Sequence, residues 1–418
     1  MAASRAEPGV TGRDRPAPPG RDRRGLPMPL LFHLGAAATI LGEGVAMAPL
    51  SASGRVPWPE PFAAEGAALG PLDLVEVAVE AGRRLSELLA GIEAWQRHPH
   101  RRALPDPPVL WRSGASRLLD FGGAGPAVVL IPSLINRAYI LDLGETTSLA
   151  RHLAGQGLRS FLLDWGVAGE AERGFGLEAY INERLLPALD TAAAEAGPPA
   201  LLGYCMGGGL AVAAAQLRPD LVRRLALIGT PWSFAEGQGI AHALRELHRR
   251  AGPDRAAGML AALDSCLGAV PAELFQTLFA LLDPGLALAK FRRFLRHDPA
   301  SREAREFVEL EDWLNDPAPL PGPAAIELLV DWQLRDLAGR LRWRVQGEAI
   351  NPATLRLPVL AVCSTSDRIA PPSATRPLAE AIPGARILQT GTGHVGMIVG
   401  RAARITIRPA LTEFLAAR

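Results

Sequence analysis

Leu201-Leu202-Gly203-Tyr204-Cys205-Met206-Gly207-Gly208-Gly209 is an apolar run that enters a Gly-x-Cys-x-Gly turn and leaves it into a helix-forming stretch, residues 210–217. Strand, tight turn and helix in that order make a nucleophile elbow, here with cysteine where serine is the commoner occupant. The nucleophile of an elbow sits on a strained turn, so the positions two before and two after it must be small. Gly203 and Gly207 meet that demand. The helix that follows offers its N-terminal N–H groups and positive dipole end, which favour a thiolate and allow the Met206 amide to hold a developing oxyanion. The competing reading is a buried cysteine that closes a core strand ahead of a glycine-rich turn.

Outward from the elbow, short apolar runs alternate with helical stretches. The runs cover residues 117–121, 127–131, 159–163, 200–202, 225–229, 359–363 and 386–389. Such alternation predicts an α/β fold with a mostly parallel sheet and helices on both faces. After Thr230 about 125 mainly helical residues intervene before the next strand. That is far beyond an ordinary crossover and predicts an inserted cap. Its aromatics, Trp232, Phe234, Phe275, Phe279, Phe291, Phe294 and Trp313, are candidates for an apolar substrate channel or for the cap's own core. The expected organisation is a disordered Arg/Pro/Gly-rich tail at 1–27, a helical region at 28–108, the first part of the core at 109–230, the cap at 231–355 and the second part of the core at 356–418.

A cysteine nucleophile needs a base, and in the serine version of this arrangement the chain order is nucleophile, acid, histidine. Both partners follow in that order. Asp367 lies in the turn after the strand at 359–363, and His394 lies in Gly391-Thr392-Gly393-His394-Val395-Gly396 after the last strand. Singly, an Asp after a strand is usually a turn residue and a His in a glycine loop a surface group. Three ordered features at three strand ends, in a chain with only eight histidines, point to a Cys205–His394–Asp367 triad at the sheet edge where ligands gather. His98, His100, His152 and His242 have no such context. The second oxyanion donor is expected from the loop Pro132-Ser133-Leu134-Ile135-Asn136-Arg137, through the amide of Leu134 or Ile135.

Bulk properties exclude several alternatives. The chain has 418 residues and a net charge of +1, with Lys290 its only lysine, so the arginine bias does not describe a nucleic-acid surface. Three scattered cysteines argue for a reducing compartment and show no metal-type spacing, so no metal site is expected and the cytoplasm is the default. Residues 21–24 and the apolar run 30–41 imitate a signal peptide. The charged region is too long, however, Glu43 interrupts the run, and a dozen or so apolar residues are too few to span a bilayer. Met28 is a candidate start. Residues 29–50 read as a helix covering the core, with an interfacial helix as the alternative.

Several further segments resemble the polyhydroxyalkanoate synthases, cysteine-dependent acyltransferases of the α/β-hydrolase superfamily. They are residues 131–137 with Tyr139-Ile140-Leu141-Asp142-Leu143, Leu163-Asp164-Trp165-Gly166, Ala179-Tyr180-Ile181-Asn182, Gly229-Thr230-Pro231-Trp232-Ser233-Phe234, Asp367-Arg368-Ile369-Ala370-Pro371-Pro372-Ser373 and Gly393-His394-Val395-Gly396. The resemblance runs from Val109 to the C-terminus. It implies the α/β-hydrolase fold, an acyl thioester on Cys205, activation by His394, and help from Asp367 to the incoming hydroxyl. Asn136, Tyr139 and Trp232 are the candidate substrate-binding residues. No cofactor is implied, because CoA arrives as part of the 3-hydroxyacyl-CoA substrate. The growing polyester, a second non-catalytic synthase subunit, a homodimeric partner and a granule surface are the implied partners. Cysteine-dependent thioesterase or polyester hydrolase chemistry is the alternative within enzymes, and a non-catalytic granule-associated protein is the alternative outside them.

Overall fold

The computed structural model describes residues 24–55, 57–58, 63–68, 72–235 and 252–417. Ten strands are present among them: β1 (Val109–Ser113), β2 (Ser116–Asp120), β3 (Ala127–Ile131), β4 (Arg159–Asp164), β5 (Ala200–Tyr204), β6 (Arg224–Ile228), the two-residue hairpin β7 (Arg344–Val345) and β8 (Glu348–Ala349), β9 (Val359–Ser364) and β10 (Arg386–Thr390). Eight form one sheet in the order β1-β2-β4-β3-β5-β6-β9-β10. The pairs β1–β2 and β2–β4 are antiparallel, and every other pair is parallel. β3, β5 and β9 are buried at every position. Helices cover both faces there, which is why these strands read as unbroken apolar runs. β1 is new relative to the sequence reading; it has no fully buried position, its apolar stretch is only the three residues Val109-Leu110-Trp111 beside the proline-rich connector, and the turn after it rests on Gly114 at φ +54°.

The N-terminal helix, Met28–Ala52, and the long helix Leu74–Arg97 do not pack on the sheet. They pack on the cap helices Ala272–Ala280 and Leu286–Phe294. A separate apolar cluster forms there from Leu30, Ala37, Leu88, Ile92 and Trp95 with Ala287, Phe291, Phe294, Ala304 and Val308. The expectation of a helix covering the core is corrected accordingly: it covers the cap. The expected disordered tail lies outside the described residues up to residue 23, and Arg24 is built into the fold. Its guanidinium pairs with Asp312 and donates to the carbonyls of Trp95, His98 and His100 at 2.7–2.9 Å. The helix also runs through Glu43, so residues 28–51 are long and apolar enough to cross a membrane by length and composition, with a mean hydropathy of 1.5 and 17% of the stretch buried. A soluble core helix or a signal sequence would meet the same description.

Glu327 joins the cap to the core and makes stability depend on pH. Its carboxylate accepts the Leu177 N–H at 3.1 Å, and burial, reinforced by Asp331 and Glu178, pushes its pKa up to about 7. A glutamate in the unfolded chain titrates near about 4.3, so the native state binds the extra proton between those two values. The folded-state pKa of an acid is raised here, so stability falls as pH climbs from about 4.5 to 7, by about 3–4 kcal/mol at 1.36 kcal/mol per unit. Glu327→Gln keeps an acceptor for Leu177. The variant is expected to be more stable than the parent at pH 8 by about that amount, and equal to it near pH 4, in urea unfolding. Parallel curves for the two proteins across this range would refute the assignment.

Candidate active site

The end of β5 delivers Cys205 on backbone angles of φ +54° and ψ −131°, a conformation that L-residues other than glycine adopt at a cost of about 1–3 kcal/mol. Close packing enforces the turn. A Cβ on Gly203 would strike the Gly208 backbone, one on Gly207 the carbonyls of Ile131 and Pro132, and one on Gly208 the Thr230 side chain. The Cys205 N–H is held by the Ile228 carbonyl at 2.9 Å, and the Cys205 carbonyl by the Gly208 N–H at 3.0 Å. Cys205 is 7% exposed, at the start of the helix Met206–Leu217. The Met206 N–H, in the first turn of that helix, has no intrahelical acceptor.

β9 and β10 supply the partners. His394 Nδ1 lies 2.6 Å from Asp367 Oδ2, while Asp367 Oδ1 accepts the N–H groups of Ile369 at 2.8 Å and Ala370 at 2.9 Å. The other side of His394 hydrogen-bonds Cys205. Tyr204 stacks on the imidazole at 5.2 Å, and Gly229 leaves room for the ring, since a Cβ there would sit 3.1 Å from His394 Cε1. Burial pushes the His394 pKa down, but the Asp367 carboxylate and the Cys205 sulfur on its two flanks outweigh burial and hold it well above its ordinary value. The Tyr204 hydroxyl is pushed up, chiefly by burial, and stays protonated. An imidazole flanked by a fixed carboxylate and a thiol can shuttle a proton between sulfur and a bound substrate.

The loop after β3 is placed by the Asp-Trp-Gly segment. Trp165 Nε1 donates to the Pro132 carbonyl at 3.1 Å, and Gly166, at φ +73°, allows the chain to pass against the Ala115 carbonyl. Of the two candidate donors in the loop, Ile135 spends its N–H on Ser133 Oγ at 3.2 Å, which leaves the Leu134 N–H.

Cys205 and His394 open into a cavity of about 370 Å³ roofed by the cap. Pro132, Ile135, Asn136, Phe279, Leu310, Trp313 and Leu314 are among its walls, and the N-terminal helix adds Pro29, Leu30 and His33. Two of the three candidate substrate contacts stand elsewhere. Trp232 is 2% exposed and packs against Trp332 and Trp343 at 6.5 and 6.0 Å, in an aromatic cluster that does not face the cavity. The Tyr139 hydroxyl bonds Asp316 Oδ2 at 3.2 Å and its ring carries the Arg102 guanidinium, so it braces the connector to the cap. Asn136 does line the cavity. Residues that the sequence does not mark as site candidates line it too: Gln276, and Lys290 with its ammonium on both oxygens of Glu311 at 2.7 and 2.8 Å. Their only local signal is polarity within otherwise apolar helical faces.

Several similar proteins are poly(3-hydroxyalkanoate) polymerase subunit PhaC, two of them being representative. The protein from Haloferax mediterranei is 27% identical over 74% of this chain and 63% of its own length. The one from Allochromatium vinosum is 27% identical over 69% of this chain and 80% of its own. The chain thus spans less than two thirds of the haloarchaeal relative. Among solved structures, an alpha/beta hydrolase fold protein from Nakamurella multipartita is 19% identical, with a TM-score of 0.45 over 72% of this chain and 95% of that one. With residues 126–400, more than half of its length, matched by the family model for the alpha/beta hydrolase fold, the chain belongs to that family.

Proposed function

We propose that the protein is the catalytic subunit of a polyhydroxyalkanoate synthase, which polymerises 3-hydroxyacyl-CoA through a thioester on Cys205. The observation that carries this reading is a cysteine, rather than a serine, hydrogen-bonded to a buried His–Asp pair at the floor of a capped, largely apolar cavity. The printed names of the relatives support it. Cys205 sulfur attacks the thioester carbonyl, the oxyanion is received by the N–H groups of Met206 and Leu134, and CoA leaves as a thiol with the proton held on His394 Nε2. The hydroxyl of a second 3-hydroxyacyl group then gives its proton to Nε2 and attacks the enzyme thioester, forming an ester bond and freeing Cys205. Exchange between thioesters changes the energy little, and ester formation draws the sequence forward. Asp367 acts through His394, since its free oxygen faces Nδ1 and its other oxygen is taken by two amides. The cap protects the acyl-enzyme from hydrolysis. The enzyme would require no cofactor, and would work in the cytoplasm at the polyester surface, to which the exposed Leu31, Ile40, Met47 and Leu50 of the N-terminal helix are suited.

Incubation with 3-hydroxybutyryl-CoA tests the proposal: CoA release accompanied by oligomeric or polymeric ester, identified by mass, is the expected result. Free 3-hydroxybutyrate as the product would make the protein a thioesterase instead. An absence of release that addition of a second synthase subunit does not restore would leave a non-catalytic, granule-associated role.

A further inference from the structure

Gln276, on the helix Ala272–Ala280, is 7% exposed and lines the cavity that holds Cys205 and His394. Its side-chain nitrogen is fully used: Nε2 donates to the Leu314 carbonyl at 2.7 Å and to Asn136 Oδ1 at 3.2 Å. These two acceptors fix which way the amide points, because the reversed orientation would set its oxygen against both of them. The oxygen, Oε1, is consequently left buried with no hydrogen-bond partner among the described residues. A buried acceptor without a donor is unfavourable, and this one is covered in the resting structure but belongs to a residue that lines the substrate cavity, so a small turn of the neighbouring side chains opens it to a donor that the ligand brings.

The position of the amide narrows the donor. Asn136, to which Gln276 is tied, follows directly after Leu134 and Ile135 in the loop that closes over the oxyanion, so Gln276 is coupled to the part of the site where the reacting carbonyl is held. In a 3-hydroxyacyl thioester the carbonyl and ester oxygens are acceptors only. The single donor that the acyl group itself carries is the 3-hydroxyl, two carbons from the reacting carbon. We propose that Gln276 Oε1 accepts the hydroxyl proton of the bound 3-hydroxyacyl group, and that Gln276 thereby selects hydroxyacyl over plain acyl thioesters. The proposal rests on the function proposed above and adds to it a specificity residue. A site built around a hydroxyl discriminates strongly against the analogue without one, since the analogue leaves the buried partner unmet.

The test is made on the Cys205→Ala protein, in which the thioester is bound without being consumed, by calorimetric titration with (R)-3-hydroxybutyryl-CoA, butyryl-CoA and 3-fluorobutyryl-CoA. Fluorine is close to hydroxyl in size and cannot donate. The hydroxy compound is expected to bind about tenfold tighter than the other two. Adding Gln276→Met is expected to erase that preference, bringing the three affinities within about twofold of one another. Equal binding of the three ligands, or of the hydroxy and fluoro compounds, would overturn the proposal, and would mean that solvent meets Oε1. Equal weakening of all three by Gln276→Met would reduce the residue to a brace between cap and loop. The fluoro comparison needs no second substitution, so the test survives a Gln276→Met protein that fails to fold. Absence of CoA release by the Cys205 protein would sink the synthase reading and leave the hydroxyl preference standing. Loss of the preference with CoA release intact would sink only the role of Gln276.

Discussion

Cys205→Ala is expected to abolish CoA release from 3-hydroxybutyryl-CoA, and Cys205→Ser to lower it by about 10³-fold or more, with neither change affecting the melting temperature by more than a few degrees. The alanine removes the thiol that lies against His394 and on which the proposed acyl-enzyme forms. The serine retains the elbow geometry and the hydrogen bond to His394. Its oxygen is a far weaker nucleophile, however, and its acyl product is an oxyester, from which transfer to another alcohol gains nothing. Cys205→Gly makes a separate point. The elbow holds Cys205 at φ +54°, where glycine alone is unstrained, so this variant is expected to be inactive and yet to match or exceed the parent in stability. A glycine variant destabilised as much as an ordinary buried cysteine-to-glycine change would show that the strain is not there. Alkylation by iodoacetamide followed by peptide mapping reports on the same group. Of the three thiols Cys266 is exposed, Cys363 is buried with its thiol pKa pushed up by burial, and Cys205 alone has an imidazole against it.

What could be read from the sequence was whatever the fold expresses locally. The central strands are buried on both faces, so β3, β5 and β9 had to be continuous apolar runs and could be placed within a residue or two. The triad is legible because Cys205 and Asp367 follow two such strands, β5 and β9, while His394 follows the largely exposed edge strand β10 and is marked instead by its glycine loop. The Asp-Trp-Gly segment, noticed as a resemblance, turns out to have a mechanical reason in the bond from Trp165 to the Pro132 carbonyl. Features decided by tertiary packing were not legible. β1 needed its pairing with β2 to be seen as a strand. The N-terminal helix is legible to within two residues at either end, whereas its packing on the cap is not; only the apolar run within it is underestimated by stopping at Glu43, whose side chain is exposed. Trp232 looked like a channel residue because large aromatics serve either as walls or as core, and only Trp332 and Trp343 decide between them. Gln276, Lys290 and Glu311 come from three helices whose meeting no spacing encodes.

Asp367→Asn is the substitution that separates positioning of the base from simple charge. Oδ1 of Asp367 accepts two backbone N–H groups, so in the variant the amide oxygen must take that place and the NH₂ must face His394 Nδ1. An NH₂ opposite Nδ1 turns that nitrogen into the acceptor and moves the ring proton to Nε2, where it faces Cys205 and cannot take a proton from it. The imidazolium also loses the carboxylate that does most to hold its pKa up, leaving the Cys205 sulfur alone against burial. Release of CoA should fall by about 10²- to 10⁴-fold, as expected when a base is locked in the wrong tautomer, while substrate affinity is retained. The residual rate should rise with pH, because hydroxide and not His394 then generates the thiolate. A variant whose rate falls less than tenfold, or whose pH profile overlays that of the parent, would mean that Asp367 merely caps its turn and that His394 works alone.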